Sequence, residues 1–220
     1  VPRRSMDDPA PDQGMREMRA IVSCAYGNPR YEQYADRLHD SLRQYGYEGP
    51  ITIWRDKWPP GSPSHQELHY AFKYHAVKAA RDAGASRVLW LDAACRATAP
   101  IGPIWDELYK RGVYVIAGRE PLNQWISDQA LEYFGMTREA AAALALCGGA
   151  IVGIDFDHQD GVAFYLKWQE LATKTRLFMS AHSIHSPNAM RSLWLQDGSD
   201  STGPVVASTD PGFKGHRADE

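Results

Sequence analysis

Residues 87–101 read RVLWLDAACRATAPI, and the fold turns on how this stretch is understood. Arg87 to Leu91 is a short apolar run bounded by polar residues, the pattern of a buried strand. It delivers Asp92 at its carboxyl end. A carboxylate there stands at the mouth of a sheet, where charge is expensive unless a metal or hydrogen-bond donors compensate it. A second carboxylate two residues on would let both point at one divalent cation as hard oxygen ligands. That position is Ala94, so the pair is incomplete. The plainer reading, of equal weight from these residues alone, is that Asp92 caps the following turn.

Upstream the pattern repeats. Arg19 to Cys24 (RAIVSC) is a buried strand ending in a turn, Ala25-Tyr26-Gly27-Asn28-Pro29. Tyr31, Tyr34, Ala35, Leu38, Leu42 and Tyr45 follow at helical spacing, and Gly46 stops that helix. Ile51 to Trp54 (ITIW) is a second strand, closed by a proline- and glycine-rich cluster. Ser64 and Glu67 form a capping box that predicts a helix running through Leu68, Phe72, His75, Val77 and Ala80 to Gly84. Downstream, strands are predicted at Val113–Ala117 and Ala150–Ile154, and helices at Asp128–Phe134 and about Val162–Leu177, with an alanine-rich segment Arg138–Leu146. Alternating strands and helices predict a mostly parallel central sheet flanked by helices, in one α/β domain. Ligands of such sheets bind beyond the carboxyl ends of the strands, where Tyr26-Gly27 and Asp92 fall.

The chain has 220 residues, 44% hydrophobic and 23% charged, which excludes global disorder and fibrous repeats. Lysine and arginine total 24 against 27 acidic residues, a formal net charge of -3. That balance argues against affinity drawn mainly from a nucleic-acid backbone. Cys24, Cys95 and Cys147 are too few and too scattered for a disulfide framework or zinc knuckle. With no apolar run near the ~20 residues of a membrane span, they suit free thiols in a soluble, cytoplasmic protein. Residues 1–18 read as a tail whose first residues resemble a protease-site remnant, with Met6 a native start. The domain is expected at 19–195, and 196–220 as a flexible loop or incomplete C-terminal segment.

The order of these motifs, with Phe72-Lys73-Tyr74 ahead of the Trp-Leu-Asp-Ala strand end, resembles the nucleotide-sugar glycosyltransferases of the GT-A, Rossmann-like fold. The resemblance covers roughly residues 19–156 and has a weaker echo at Gly215-His216-Arg217-Ala218-Asp219. It implies transfer of a sugar from a UDP- or GDP-sugar to a hydroxyl acceptor, assisted by Mn2+ or Mg2+ held at an Asp-x-Asp motif. Asp92 matches the first Asp, and Ala94 stands where the principal metal-ligating Asp would be. This makes the chain an inactivated variant, a metal-independent transferase or a donor-binding relic. A late histidine, here His216, would complete the metal shell. Ala25, Tyr26 and Gly27 would form the nucleobase loop, Lys73 would face the diphosphate, and Gly148-Gly149 would abut the donor sugar.

Each of these residues has a plainer role as well. Gly27 suits any strand-to-helix turn, Lys73 a solvated helix face, and Gly148-Gly149 a tight helix-to-strand turn. Asp128, Asp155 and Asp157 are the carboxylates left for acid–base work on the acceptor, while Asp128 also suits a helix start. Trp125, near Asn123 and Ser127, could carry an acceptor sugar or simply pack. The acceptor class stays open, a modified nucleobase included. His65-Gln66-Glu67-Leu68-His69 lacks the glutamate spacing of a zinc-hydrolase helix. P-loop, nucleophile-elbow and dinucleotide-binding signatures are absent. Two other readings stand behind the transferase: a non-catalytic nucleotide-sugar-binding protein and, third, a nucleotidyltransferase. The loop after the first strand lacks the basic character the third would need.

Overall fold

The structure is a computed structural model that describes residues 18–26, 29–65, 67–175, 177 and 210. Its elements are β1 (Arg19–Cys24), α1 (Pro29–Gln44), β2 (Ile51–Trp54), α2 (Ala71–Asp82), β3 (Arg87–Leu91), α3 (Gly102–Arg111) and β4 (Val113–Pro121). A 3-10 turn at Leu122–Gln124 leads to α4 (Asp128–Tyr133), α5 (Arg138–Ala142), β5 (Ala145–Asp155) and α6 (Gln159–Lys174). One open sheet of five strands, in the order β2-β1-β3-β5-β4, forms the middle layer. β1 pairs in parallel with β2 and β3, and β5 runs antiparallel to both β3 and β4. β4 therefore points the same way as β1, β2 and β3, and only β5 is reversed. This is the single α/β domain expected, with an open mixed sheet flanked by helices.

Strand alternation sorts the core into two halves. Ala20, Val22, Val88, Trp90, Val152 and Ile154 face α2 and α6, where Tyr74, Val77 and Tyr165 close over them. Ile21, Leu89 and Leu91 face the other way, against Leu38 and Leu42 of α1 and Trp105 and Leu108 of α3. β3 is buried along its whole length, which explains its unbroken apolar sequence.

Three expectations change in the structure. The capping box forms, since Ser64 N donates to Glu67 Oε2 at 2.7 Å and Glu67 N to Ser64 Oγ at 3.2 Å, but it closes only a turn. The helix begins at Ala71, because Tyr70 adopts a left-handed backbone (φ 57°) that interrupts helical continuation. The second change is α3, an element not anticipated, whose Ile104, Trp105 and Leu108 carry the packing. Lastly, Gly148-Gly149 lie inside β5 rather than in a helix-to-strand turn. The β4–β5 register jumps there: Val115 pairs with Val152 but Ile116 pairs with Gly148, so β5 bulges through residues 149–151.

Candidate functional site

The carboxyl ends of β1, β2 and β3 open on one edge of the sheet, which β5 enters from the opposite direction. At the end of β3, Asp92 N donates to the Ala150 carbonyl (2.9 Å), and Cys95 N donates to the Asp92 carbonyl (2.8 Å), closing a turn. Trp90 and Asp92 share a face of the strand, so Trp90 Nε1 donates to Asp92 Oδ1 at 2.9 Å.

Onto that same oxygen comes Lys73. From the first turn of α2 its ammonium lies 3.2 Å from Asp92 Oδ1 and donates to the Gly149 carbonyl at 3.0 Å. The bulge in β5 is what turns the Gly149 carbonyl out of the ladder towards it. The rings of Tyr70 and Trp90 lie 5.1 and 5.7 Å from the ammonium. Lys73 is 3% exposed whereas the Asp92 side chain is 37% exposed. A buried ammonium is tolerable only with such partners. Tyr70 is the one non-glycine residue with positive φ among the described residues. Its N–H is held by His65 Nδ1 at 3.2 Å. Strained backbone beside a buried charge is the kind that clusters at ligand sites.

A row of rings runs from β1 to β3. Tyr26 meets Trp58 edge-on at 5.1 Å, Trp58 meets Phe72 at 5.2 Å, and Phe72 meets Trp90 at 5.7 Å. Tyr26 is the exposed end of this row. Ala25 is buried instead, packed with Ala35, Ala93 and Ile53. From the other face of the sheet, Arg37 of α1 donates through Nη2 to the Ala94 carbonyl at 2.7 Å. Burial, seconded by the Asp92 charge, pushes the Cys95 thiol above its ordinary range, while a hydrogen bond to the Asp92 backbone and, after it, Lys73 and Arg37 pull the other way. Cys95 therefore stays uncharged at neutral pH.

The structure thus brings together Lys73, Asp92 and Gly149, with Gly148 beside them and Tyr26 at the end of the aromatic row. Gly27 and His216 lie outside the described residues. Asp155 is elsewhere. It ends β5, opposite Arg87 at the start of β3, and receives Arg87 Nε at 2.5 Å with both side chains buried. Five residues of strand, about 16 Å, separate it from the Asp92 end. Its Oδ1 accepts the Asp157 N–H at 2.9 Å, so Asp157 stays on that far edge too. Asp128 pairs with Arg138, which also holds the Asn123 and Ile126 carbonyls and so staples the 3-10 turn to α4 and α5. Ser127 caps α4 by accepting from Ala130 N at 3.2 Å. These contacts give Asp128 the helix-start role, and Trp125 belongs to the same small unit. Arg37, Trp58, Tyr70 and Trp90 were not singled out from sequence. Of these only Trp90 carries a signal, its i,i+2 relation to Asp92 on a strand.

The divalent cation that the resemblance implies does not fit these residues. Asp92 Oδ1 already takes an indole N–H and faces an ammonium, and the second ligand position is Ala94. Among the described residues no three histidine, cysteine or carboxylate side chains gather where a metal ion could be held.

No family model matches the chain, and no curated protein matches it. Solved structures do show likeness. A glycosyltransferase involved in glycosylation of the major capsid of PBCV-1 shares 13% identity at a TM-score of 0.32, covering 71% of this chain and 68% of its own. Mouse xyloside xylosyltransferase 1 shares 12% at 0.44, covering 74% of each. The 4-diphosphocytidyl-2C-methyl-D-erythritol synthase of Anaerococcus prevotii shares 11% at 0.41, covering 72% of this chain and 78% of its own. Likeness at these TM-scores carries no argument about chemistry.

Proposed function

We propose that this chain binds a nucleoside-diphosphate sugar and transfers the sugar to a hydroxyl acceptor. The observation that supports it is the Lys73–Asp92–Gly149 cluster at the ligand-binding edge of the sheet, reached by a row of rings ending in exposed Tyr26. In such a transfer the bond from the anomeric carbon to the phosphate oxygen breaks and a bond to the acceptor oxygen forms. The acceptor proton leaves to solvent or a base, and the nucleoside diphosphate departs with the electron pair. Fixed cations beside that leaving group lower the barrier by meeting the charge as it develops. Tyr26 offers a flat surface to a base.

The test is a thermal-shift panel of UDP, GDP, CDP and their common sugars, followed by assay of released nucleoside diphosphate. A ligand at a hundred times its Kd adds about 2.7 kcal/mol, so Tm should rise by about 5–10 °C for one base. Tyr26→Ala should cut that shift by at least half. No shift with any nucleotide would sink the reading. Ala94 favours a second reading, a nucleotide-sugar-binding protein without turnover; it predicts the same shifts with no nucleoside diphosphate released.

A further inference from the structure

We propose that Lys73 is the resident cation of this site, neutralising Asp92 from beneath, and that Arg37 holds the diphosphate with no divalent metal. The inference rests on the nucleotide-sugar reading and concerns how that site is charged. Two carboxylates at a strand end repel a diphosphate until a dication bridges them. Here the turn carries one carboxylate, Asp92, and two cations approach it from opposite faces of the sheet. Lys73 comes from α2 and pairs with Asp92, and Arg37 comes from α1 and holds the Ala94 carbonyl. Those three side chains sum to one positive charge, which favours an anion. The neutral Cys95 thiol takes nothing from it.

The geometry assigns the two cations different tasks. Lys73 is sealed against Gly149, Asp92 and two rings, so it neutralises the carboxylate and fixes its direction. Arg37 is exposed and spends one of its five N–H donors on Ala94, which leaves a guanidinium edge suited to phosphate oxygens. A carboxylate at position 94 would compete for that edge. With Ala94 at that position the Arg37 edge meets no such competitor. A dication brought to Asp92 would share that carboxylate with an ammonium 3.2 Å from its Oδ1 and be repelled by it.

The experiment measures Kd by calorimetry for UDP and GDP, each in EDTA and in Mn2+. It compares the unmodified chain, Arg37→Ala, Lys73→Met and the double variant Lys73→Met/Ala94→Asp, with circular dichroism to check folding. The better nucleotide should bind the unmodified chain equally in EDTA and Mn2+. Arg37→Ala, an exposed position, should weaken it about 10-fold in both conditions. Lys73→Met should weaken it further, and only the double variant should gain at least 10-fold from Mn2+. Binding that EDTA abolishes in the unmodified chain overturns the inference while leaving the nucleotide-sugar reading intact. Unchanged affinity in Arg37→Ala overturns it as well, even if Lys73→Met does not fold. Absence of binding by either nucleotide in both conditions, with no thermal shift from CDP, overturns the reading beneath it and this inference together.

Discussion

His75 is a buried histidine on α2 whose Nδ1 has no hydrogen-bond partner. Burial, and after it the Lys78 charge, lowers its pKa below the ordinary 6.5, while the Pro60 carbonyl works in the other direction. The neighbouring Tyr74 ring, 5.0 Å away, adds no charge at this pH. A folded-state pKa below the unfolded one means that the unfolded chain takes up the proton first. Stability from this residue is therefore whole above the ordinary histidine value and is lost as pH falls through that value towards the folded one. The slope cannot exceed about 1.4 kcal/mol per pH unit for one proton. Urea unfolding between pH 7.5 and 5 should show this acid loss in the unmodified chain and a flatter limb in His75→Phe. An identical limb in both would assign the loss to another group.

Gly161, in the first turn of α6, has a role that no local pattern announces. An added Cβ would lie 2.0 Å from the Asp155 carbonyl oxygen and 2.6 Å from that of Gly112, both backbone atoms. Gly112 ends α3 in a left-handed conformation (φ 75°), and its carbonyl accepts the Asp155 N–H at 2.9 Å. Three elements, α3, β5 and α6, thus meet where only hydrogen fits. Gly161→Ala should cost about 3 kcal/mol, the upper end of the overpacking range, and lower Tm by about 6–12 °C. A melt shifted by less than about 2 °C would mean that α6 can slide away freely.

The same junction shows why some elements are legible and others are not. RAIVSC, ITIW and RVLWL are strands with the bounds read from sequence, because each is a short apolar run between turn residues. Gly46 stops α1 for a local reason: it takes φ 81°, and Tyr47 N bonds back to the Leu42 carbonyl. α2 starts late because Tyr70 is set by ring and charge contacts from Lys73 and His65, which lie outside propensity. The reversal of β5 follows from a return path through α4 and α5 that no period encodes. At the site, Asp92 and Lys73 could be named singly. Their pairing needs α2 laid across β3, and the third partner, a carbonyl freed by a bulge, has no side-chain signature at all.

Across the whole molecule the sheet has two edges with different work. The carboxyl ends of β1, β2 and β3 gather Tyr26, Lys73 and Asp92, half-open to solvent at the carboxylate. The opposite edge gathers Arg87, Asp155, Gly112 and Gly161, packed and paired. Because β5 is reversed, Asp155 at its end lies with the start of β3, about 16 Å from Asp92. A catalytic Asp155 and a structural one then give opposite results in one experiment. If the Arg87–Asp155 pair is a strut, Asp155→Asn removes one partner of a buried pair and should cost about 3–5 kcal/mol, with UDP or GDP affinity unchanged. Arg87→Met/Asp155→Leu should recover most of that loss, since neither charge is left uncompensated. Arg37→Ala should do the reverse, losing nucleotide affinity at nearly constant Tm. Thermal melts and calorimetry on the same preparations separate the cases. Loss of turnover in Asp155→Asn at unchanged Tm would return Asp155 to the chemistry and break the division of labour between the edges.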